Sequence, residues 1–248
     1  LDVRQIHLYS DASGQVDFDK LAKEVAGIFP ACSIDIRQPF LEHWSASPEI
    51  IQQSAISDTK TPFEKQPKER AGPYGVQLVD GFVMQRILAQ IIPEKESSFE
   101  HLHVMFTDLL ICTFDEEDWR YHGRAVICGT PSIISTTGIV EAPAKPKEFY
   151  LAQLGGLDIQ SLKRRFAGRF IDYNDARMTC AAAGYALQAI FFFITGGQAF
   201  CKNSQCRLFN AHWQEDLIRT QIENPALCLK HQRIANKFNR RLLHAKRS

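Results

Sequence analysis

At 248 residues, 45% apolar and 23% charged, the chain has the length for one large domain or two small ones and the composition of an ordinary globular protein. A formal net charge of +1 points to neither a nucleic-acid binder nor a binder of acidic ligands for the chain as a whole. Seven cysteines are an odd number, and Cys32, Cys112, Cys128 and Cys180 sit singly among apolar neighbours. This argues against a disulfide framework and for reduced thiols in a cytoplasmic protein. Leu1 to Ser10 carries no charged segment followed by an apolar run, so no signal peptide is expected.

In chain order, Val3 to Tyr9 alternates as a strand does, and Asp17 to Phe29 places Phe18, Leu21, Ala22, Val25, Ile28 and Phe29 at helical spacing. Ser33 to Arg37 reads as a second strand, giving a β-α-β opening. Glu49 to Gly75 is polar, with Pro62, Pro67 and Pro73, and reads as an excursion from the core. Gln77 to Ile92 reads as a helix ending before Pro93. Four short β-like runs follow: His103–Phe106, Leu109–Phe114, Ala125–Ile127 and Ser132–Ser135. Pro143 and Pro146 mark a break, after which Leu157–Phe166, Asp175–Thr195, Ala211–Ile222 and Leu227–Leu243 read as helices. Strands first and helices later predict an α+β fold, one domain over 1–248, mostly strands over 1–150 and helical over 151–248. Met178 to Phe200 carries no charge across 23 residues, enough to span a bilayer. Its threonines, glycines and glutamines, and the metal-ligand candidate directly after it, argue for a buried core helix and no membrane association.

That ligand candidate belongs to the strongest motif in the chain. Cys201-x4-Cys206 is followed after 21 residues by Cys228-x2-His231. Two close pairs of soft ligands separated by about one helix build a closed tetrahedral zinc site. The expectation is one structural Zn²⁺ per chain on Cys201, Cys206, Cys228 and His231. Three thiolates on Zn²⁺ leave a net −1, which Lys202, Arg207, Lys230 and Arg233 are close enough in sequence to balance. Four protein ligands leave no position for a reactive water, so this metal is expected to hold the C-terminal third together.

Thr107-Asp108-Leu109, the run Arg124-Ala-Val-Ile-Cys-Gly, Ile134-Ser135-Thr136, a long helix ending in Gly-x-x-x-Cys-x4-Cys and a late Cys-x-x-ligand pair together resemble the archaemetzincins, zinc-dependent peptidase-like proteins of the metzincin type. The resemblance spans roughly residues 100–231, and the arrangement also looks like a metallopeptidase-like branch lacking the His-Glu-x-x-His motif. It implies a zincin-like mixed, twisted sheet packed by helices, with a structural zinc just after the helix that is catalytic in that family. The last ligand there is normally cysteine; here it is His231. The family's catalytic helix carries His-Glu-x-x-His-x-x-Gly-x-x-His-Cys. Anchoring on Cys201 puts the glycine on Gly197, which matches, but the three histidines on Ile190, Ile194 and Phe200 and the glutamate on Phe191. The methionine following the structural cysteines corresponds to Leu208. A zincin needs two imidazoles one helical turn apart and a carboxylate to activate water, so the resemblance carries fold and structural metal without the peptidase reaction.

Other polar clusters are open to function. Asp118 to Arg124, with Arg120, Tyr121, His122 and Arg124, offers guanidiniums for a carboxylate or phosphate and an imidazole beside them; a loop stapled by Arg–carboxylate pairs is the equal alternative. Asn210 to Asp216 offers His212 and Glu215 at i,i+3, with Asp216 and Arg219 on the face of His212; otherwise Asn210 is a helix cap. If His122 and His212 meet with a carboxylate, a second metal could be held there. Ser135 to Pro146 reads as a turn and linker, or else as an edge strand able to pair with an extended ligand. The leading expectation is an inactive metallopeptidase homologue that binds a peptide, a protein partner or a small anionic ligand. The alternatives are an active hydrolase using His122, His212 and Glu215, and a nucleic-acid-associated protein using Lys237, Arg240, Arg241 and Lys246. Phe238 is the lone aromatic beyond Trp213, so only weak, salt-sensitive phosphate contact is expected from this tail.

Overall fold

Strand β1 (Gln5–Tyr9) alternates Ile6 and Leu8 with His7 and Tyr9, and the pleat sends the two sets to opposite faces. Both faces are covered, and they differ in chemistry. The computed structural model describes residues 2–11, 13–56 and 77–245. After helix α1 (Phe18–Ile28), β2 (Ser33–Arg37) returns beside β1; it is followed by α2 (Phe40–His43) and a 3-10 turn over Pro48–Ser54. A short strand β3 (Leu78–Asp80) leads into α3 (Gly81–Ala89), then come β4 (His101–Thr107), β5 (Leu110–Asp115), β6 (Arg120–Gly123), β7 (Val126–Ile127) and β8 (Ser132–Ser135). The remaining elements are helices α4 (Thr136–Glu141), α5 (Lys147–Leu154), α6 (Ile159–Arg165), α7 (Met178–Thr195), α8 (Gln214–Ile218) and α9 (Leu229–Ala245).

The fold is α+β, as expected. The main sheet has the order β2-β1-β4-β8-β7, with the first four strands parallel and β7 antiparallel to β8. A second sheet, β3-β5-β6, joins a parallel pair to a hairpin. One face of the main sheet presents Ile6, Leu8, Leu102, Val104 and Phe106 to a core completed by α1, α7 and α9. The other presents Tyr9 and Met105 to Phe40, Met84 and Leu88. Helix α7 is apolar all round because it is buried all round. Among the described residues it is the helix long and apolar enough to cross a membrane, and 78% of that stretch is buried inside the fold. Gly196, at φ 70°, ends it in the left-handed conformation that glycine adopts without strain.

Long-range polar contacts tie the C-terminal third to the first helix. Arg207 is buried and ion-paired with Glu24 of α1; it also donates to the Cys180 carbonyl at 3.2 Å and to Gln221 Oε1 at 3.2 Å. It therefore does not balance the cysteine cluster, contrary to the sequence expectation. Gln221 lies on a π-turn over Arg219–Glu223 and crosses α7 at Gly184, where a Cβ would fall 1.7 Å from Gln221 Oε1. Thr179 Oγ1 accepts from the Asp17 backbone at 3.0 Å, and Asn239 donates to the Ile28 carbonyl at 2.8 Å.

Arg177, ahead of α7, donates to the Phe170 carbonyl at 2.7 Å and to Asp175 Oδ2 at 2.7 Å. Burial acts to raise the Asp175 carboxyl, but hydrogen bonds from Arg177 outweigh it and hold the group below its usual range. A lowered carboxylate contributes stability that is present above the unfolded value near 3.8 and lost as pH falls through the folded value. Asp175→Asn is therefore expected to lower stability at neutral pH and to flatten its fall in acid, as read by urea unfolding at stepped pH.

Several elements differ from the sequence expectation. The predicted helix from Gln77 is first a strand, because Asp80 caps α3 by accepting from the Phe82 and Val83 amides. Of the segment from Ser135 to Pro146, residues 142–146 connect to α5, but Thr136–Glu141 is neither linker nor edge strand. It is the buried helix α4, capped by Ser135 Oγ on the Gly138 amide at 2.7 Å. Arg120–Gly123 is a strand rather than a loop. The helix expected from Ala211 starts at Gln214, and Asn210 does not cap it; Trp213 occupies that position. The polar excursion falls within the described residues only as far as residue 56.

Candidate metal centre

The turn after α7 and the first turn of α9 bring Cys201, Cys206, Cys228 and His231 together, one ligand atom from each lying within 4.8 Å of the others. A tetrahedral zinc with bonds of about 2.3 Å to sulfur and 2.0–2.1 Å to nitrogen sets neighbouring S···S near about 3.8 Å and S···N near about 3.5 Å. Here Cys201 Sγ is 3.9 Å from Cys228 Sγ, Cys206 Sγ is 3.5 Å from His231 Nδ1, and Cys228 Sγ is 3.2 Å from the same nitrogen. The donor set therefore fits zinc in spacing and in chemistry. The Asn203 amide points at Cys201 Sγ and the Cys228 amide at Cys206 Sγ, each at 3.4 Å, as donors stabilising thiolates do. Burial pushes the Cys206 thiol up, so a metal would have to supply the positive charge that lets it ionise. His231 is buried, its ring edge-on to Phe191 of α7 at 5.4 Å between centroids.

The other candidate residues are held by separate partners. His122 Nε2 contacts the Asp118 carboxylate at 2.9 and 3.0 Å, His212 Nε2 contacts Asn210 at 3.3 Å, and Glu215 accepts from Arg169 at 2.6 Å. Nothing in this arrangement assembles His122, His212 and Glu215 into one acid–base set. On β6, Arg120 pairs with Asp118 at 2.5 Å while Tyr121, on the opposite face, reaches Asp80 at 3.4 Å. Arg124 donates to Thr113 Oγ1 at 2.8 Å. Asp216 pairs with Arg219 at 2.6 Å, three positions on. Glu215, Asp216 and Arg219 do line a groove of about 340 Å³ with Lys147, Glu148 and Trp213.

A second polar cluster lies on the sheet face turned away from α7 and carries no recognised motif. Register pairs His7 with Asp35 and His103, and Tyr9 with Arg37. His7 donates Nδ1–H to Asp35 at 2.5 Å, and its Nε2 is 2.9 Å from His101 Nδ1. His103 donates Nε2–H to the Glu96 carbonyl at 2.9 Å, while its Nδ1 accepts from the Tyr9 hydroxyl at 2.8 Å. Arg37 spans Asp35, Glu96 and Tyr9 at 2.6, 2.7 and 2.9 Å. Burial holds the His103 imidazole down at about 4 and pushes the Tyr9 phenol up to about 12. The sequence signal was a polar residue at every second position of three strands, His7-x-Tyr9, Asp35-x-Arg37 and His101-x-His103, each with an apolar residue between.

A family model described as "Probable metallopeptidase family (DUF6775)" matches residues 2–238. Among solved structures, the chain is similar to a zinc-dependent peptidase from Methanocorpusculum labreanum (strain Z), with 14% identity, a TM-score of 0.49, and coverage of 93% of this chain and 100% of that one. No curated protein matches.

Proposed function

The chain belongs to the probable metallopeptidase family that matches residues 2–238, and from that premise we propose that it is a zinc-stapled, catalytically inactive member that binds a peptide. The observation carrying the inactivity is the packing of α7. Ile190 and Phe191 are wholly buried, and Phe191 touches Phe29 and His231 rather than a solvent cleft. Restoring a base there would require removing core, and general acid–base chemistry needs a titratable group within reach of its proton. The zinc on Cys201, Cys206, Cys228 and His231, one per chain, would be structural, since four protein ligands leave no coordination position for water. As in the archaemetzincins, this zinc would follow the helix whose catalytic positions are here apolar.

The groove lined by Lys147, Glu148, Trp213, Glu215, Asp216 and Arg219 favours a peptide over a small anion. It combines both charge signs with an indole, over which the Lys147 ammonium lies 5.8 Å from the ring centroid. Arg120 and Arg124, which an anion would need, are already engaged by Asp118 and Thr113. Nucleic acid is not proposed as a partner: Arg241 of α9 pairs with Asp2 at 2.7 Å, and Lys246 lies outside the described residues.

Zinc-loaded protein incubated with casein and a mixed short-peptide library is expected to give no chelator-sensitive cleavage. Fluorescence anisotropy with library peptides should show binding that Trp213→Ala weakens. Chelator-sensitive hydrolysis by clean protein would overturn the inactivity, and binding indifferent to Trp213→Ala would overturn the peptide groove.

A further inference from the structure

The His7–His103 face is arranged as metal sites are. An imidazole that binds a metal usually gives its other ring N–H to a carboxylate or a backbone carbonyl, which fixes the tautomer and aims the lone pair. His7 does this through Asp35 at 2.5 Å and His103 through the Glu96 carbonyl at 2.9 Å. Each keeps one nitrogen that carries no proton, Nε2 in His7 and Nδ1 in His103; the second accepts from the Tyr9 hydroxyl at 2.8 Å, a contact that a cation would displace. His7 Nε2 lies 3.9 Å from Glu96 Oε2, and one ligand-type atom from each of His7, Glu96 and His103 falls within 4.8 Å of the others. His101 Nδ1 faces His7 Nε2 at 2.9 Å, so the two nitrogens can share only a single proton, which a cation could replace.

We propose that His7, Glu96 and His103 hold a divalent transition-metal ion, with Asp35 as the positioning residue for His7. Two imidazoles and a carboxylate suit Zn²⁺, Fe²⁺, Co²⁺ or Mn²⁺. Asp35, Glu96 and Arg37 leave the cluster one negative charge, which favours a cation. The access route is short: the Asp35 side chain is 45% exposed and Glu96 16%, against 1% for His7. Packing alone gives no reason for the cluster, because well-packed apolar side chains in place of a buried ionic network are often neutral or stabilising. The site lies across the sheet from α7 and is independent of the cysteine cluster and of the inactivity proposed for α7.

The test titrates Co²⁺ into full-length protein whose cysteine site has first been filled with one equivalent of zinc. Thiolate ligands give cobalt intense charge-transfer absorption, whereas imidazole and carboxylate give only weaker d–d bands. The expected result is one bound Co²⁺ with d–d bands and no new charge-transfer band. His7→Gln, His103→Gln and Glu96→Gln should each abolish it, and Asp35→Asn should weaken it by about 10–100-fold. Glu96→Gln keeps the shape of a side chain at the rim, so a thermal melt equal to wild type would separate loss of the ligand from loss of the fold. Asp118→Asn, in the exposed Asp115–Asp118–His122 group, should leave binding unchanged. Failure of zinc-loaded wild type to take up Co²⁺, retention of binding by Glu96→Gln, or loss of binding in Asp118→Asn would each overturn the assignment.

Discussion

Replacing Cys206 with serine is expected to take bound zinc at the cysteine site from about one ion per chain to none and to unfold the C-terminal third. Structural zinc binding is worth about 10–16 kcal/mol, comparable to the ~5–15 kcal/mol stability of a whole domain. The site joins the loop after α7 to the first turn of α9, beside the hydrogen bond from the Arg207 amide to the Ala226 carbonyl at 2.8 Å. Cys206 is the fully buried sulfur of the set, and the Cys228 amide is aimed at it. A serine oxygen there would be shorter and harder, leaving an incomplete set around a buried imidazole. Elemental analysis of protein purified without added metal, paired with thermal melts before and after chelation, reads both effects. Protein that remains metal-free with an unchanged melt would remove the zinc from the account of this fold.

The second large effect is expected at Phe191. Truncation to alanine should cost about 3–5 kcal/mol, the range for emptying a buried aromatic site, measured by urea unfolding. The ring is fully buried between Phe29 and His231, at 5.6 and 5.4 Å between centroids. Phe191→Glu, which would put a zincin-type base back in place, should fail to fold rather than acquire activity, since an unpaired carboxylate would be buried there. Phe200 makes the comparison, because it is 46% exposed. Phe200→His should change stability by no more than about 0.5 kcal/mol, as surface substitutions usually do. A soluble, cooperatively folding Phe191→Glu protein would show that α7 is far less tightly packed than its burial implies.

These two sites were legible in the sequence to different degrees. Cys201, Cys206, Cys228 and His231 could be read because each ligand pair is local, so spacing alone predicts that both members turn toward one ion. The burial of α7 could be read from its uncharged run. Helix α4 could not: Ser135-Thr136-Thr137-Gly138 has turn composition, and only the fold shows Gly138 pressed so close to the Arg124 carbonyl that a Cβ would sit 2.1 Å from its oxygen. The histidine face was hidden by the usual rule that alternating polar positions on a strand meet water. Here the Glu96 turn and the aromatic rings of α2 and Trp44 cover that face, and coverage by distant segments leaves no local trace. His122 and His212 were open to meeting, but each has a nearer partner, Asp118 and Asn210.

The contacts that fasten α1 to the far end of the chain bear on how the protein is made. Glu24 meets Arg207 across 183 positions, Asp17 meets Thr179 across 162 and Ile28 meets Asn239 across 211. A ribosome delivers α1 and the first parallel strands long before any of these partners exists. Until α7 and α9 emerge, α1 covers only part of its sheet face and the rest stays bare, the condition in which chains aggregate or engage chaperones. The native surroundings of α1 are therefore complete only once α7 and α9 have been made, and a product lacking α9 leaves the Ile28 carbonyl without Asn239.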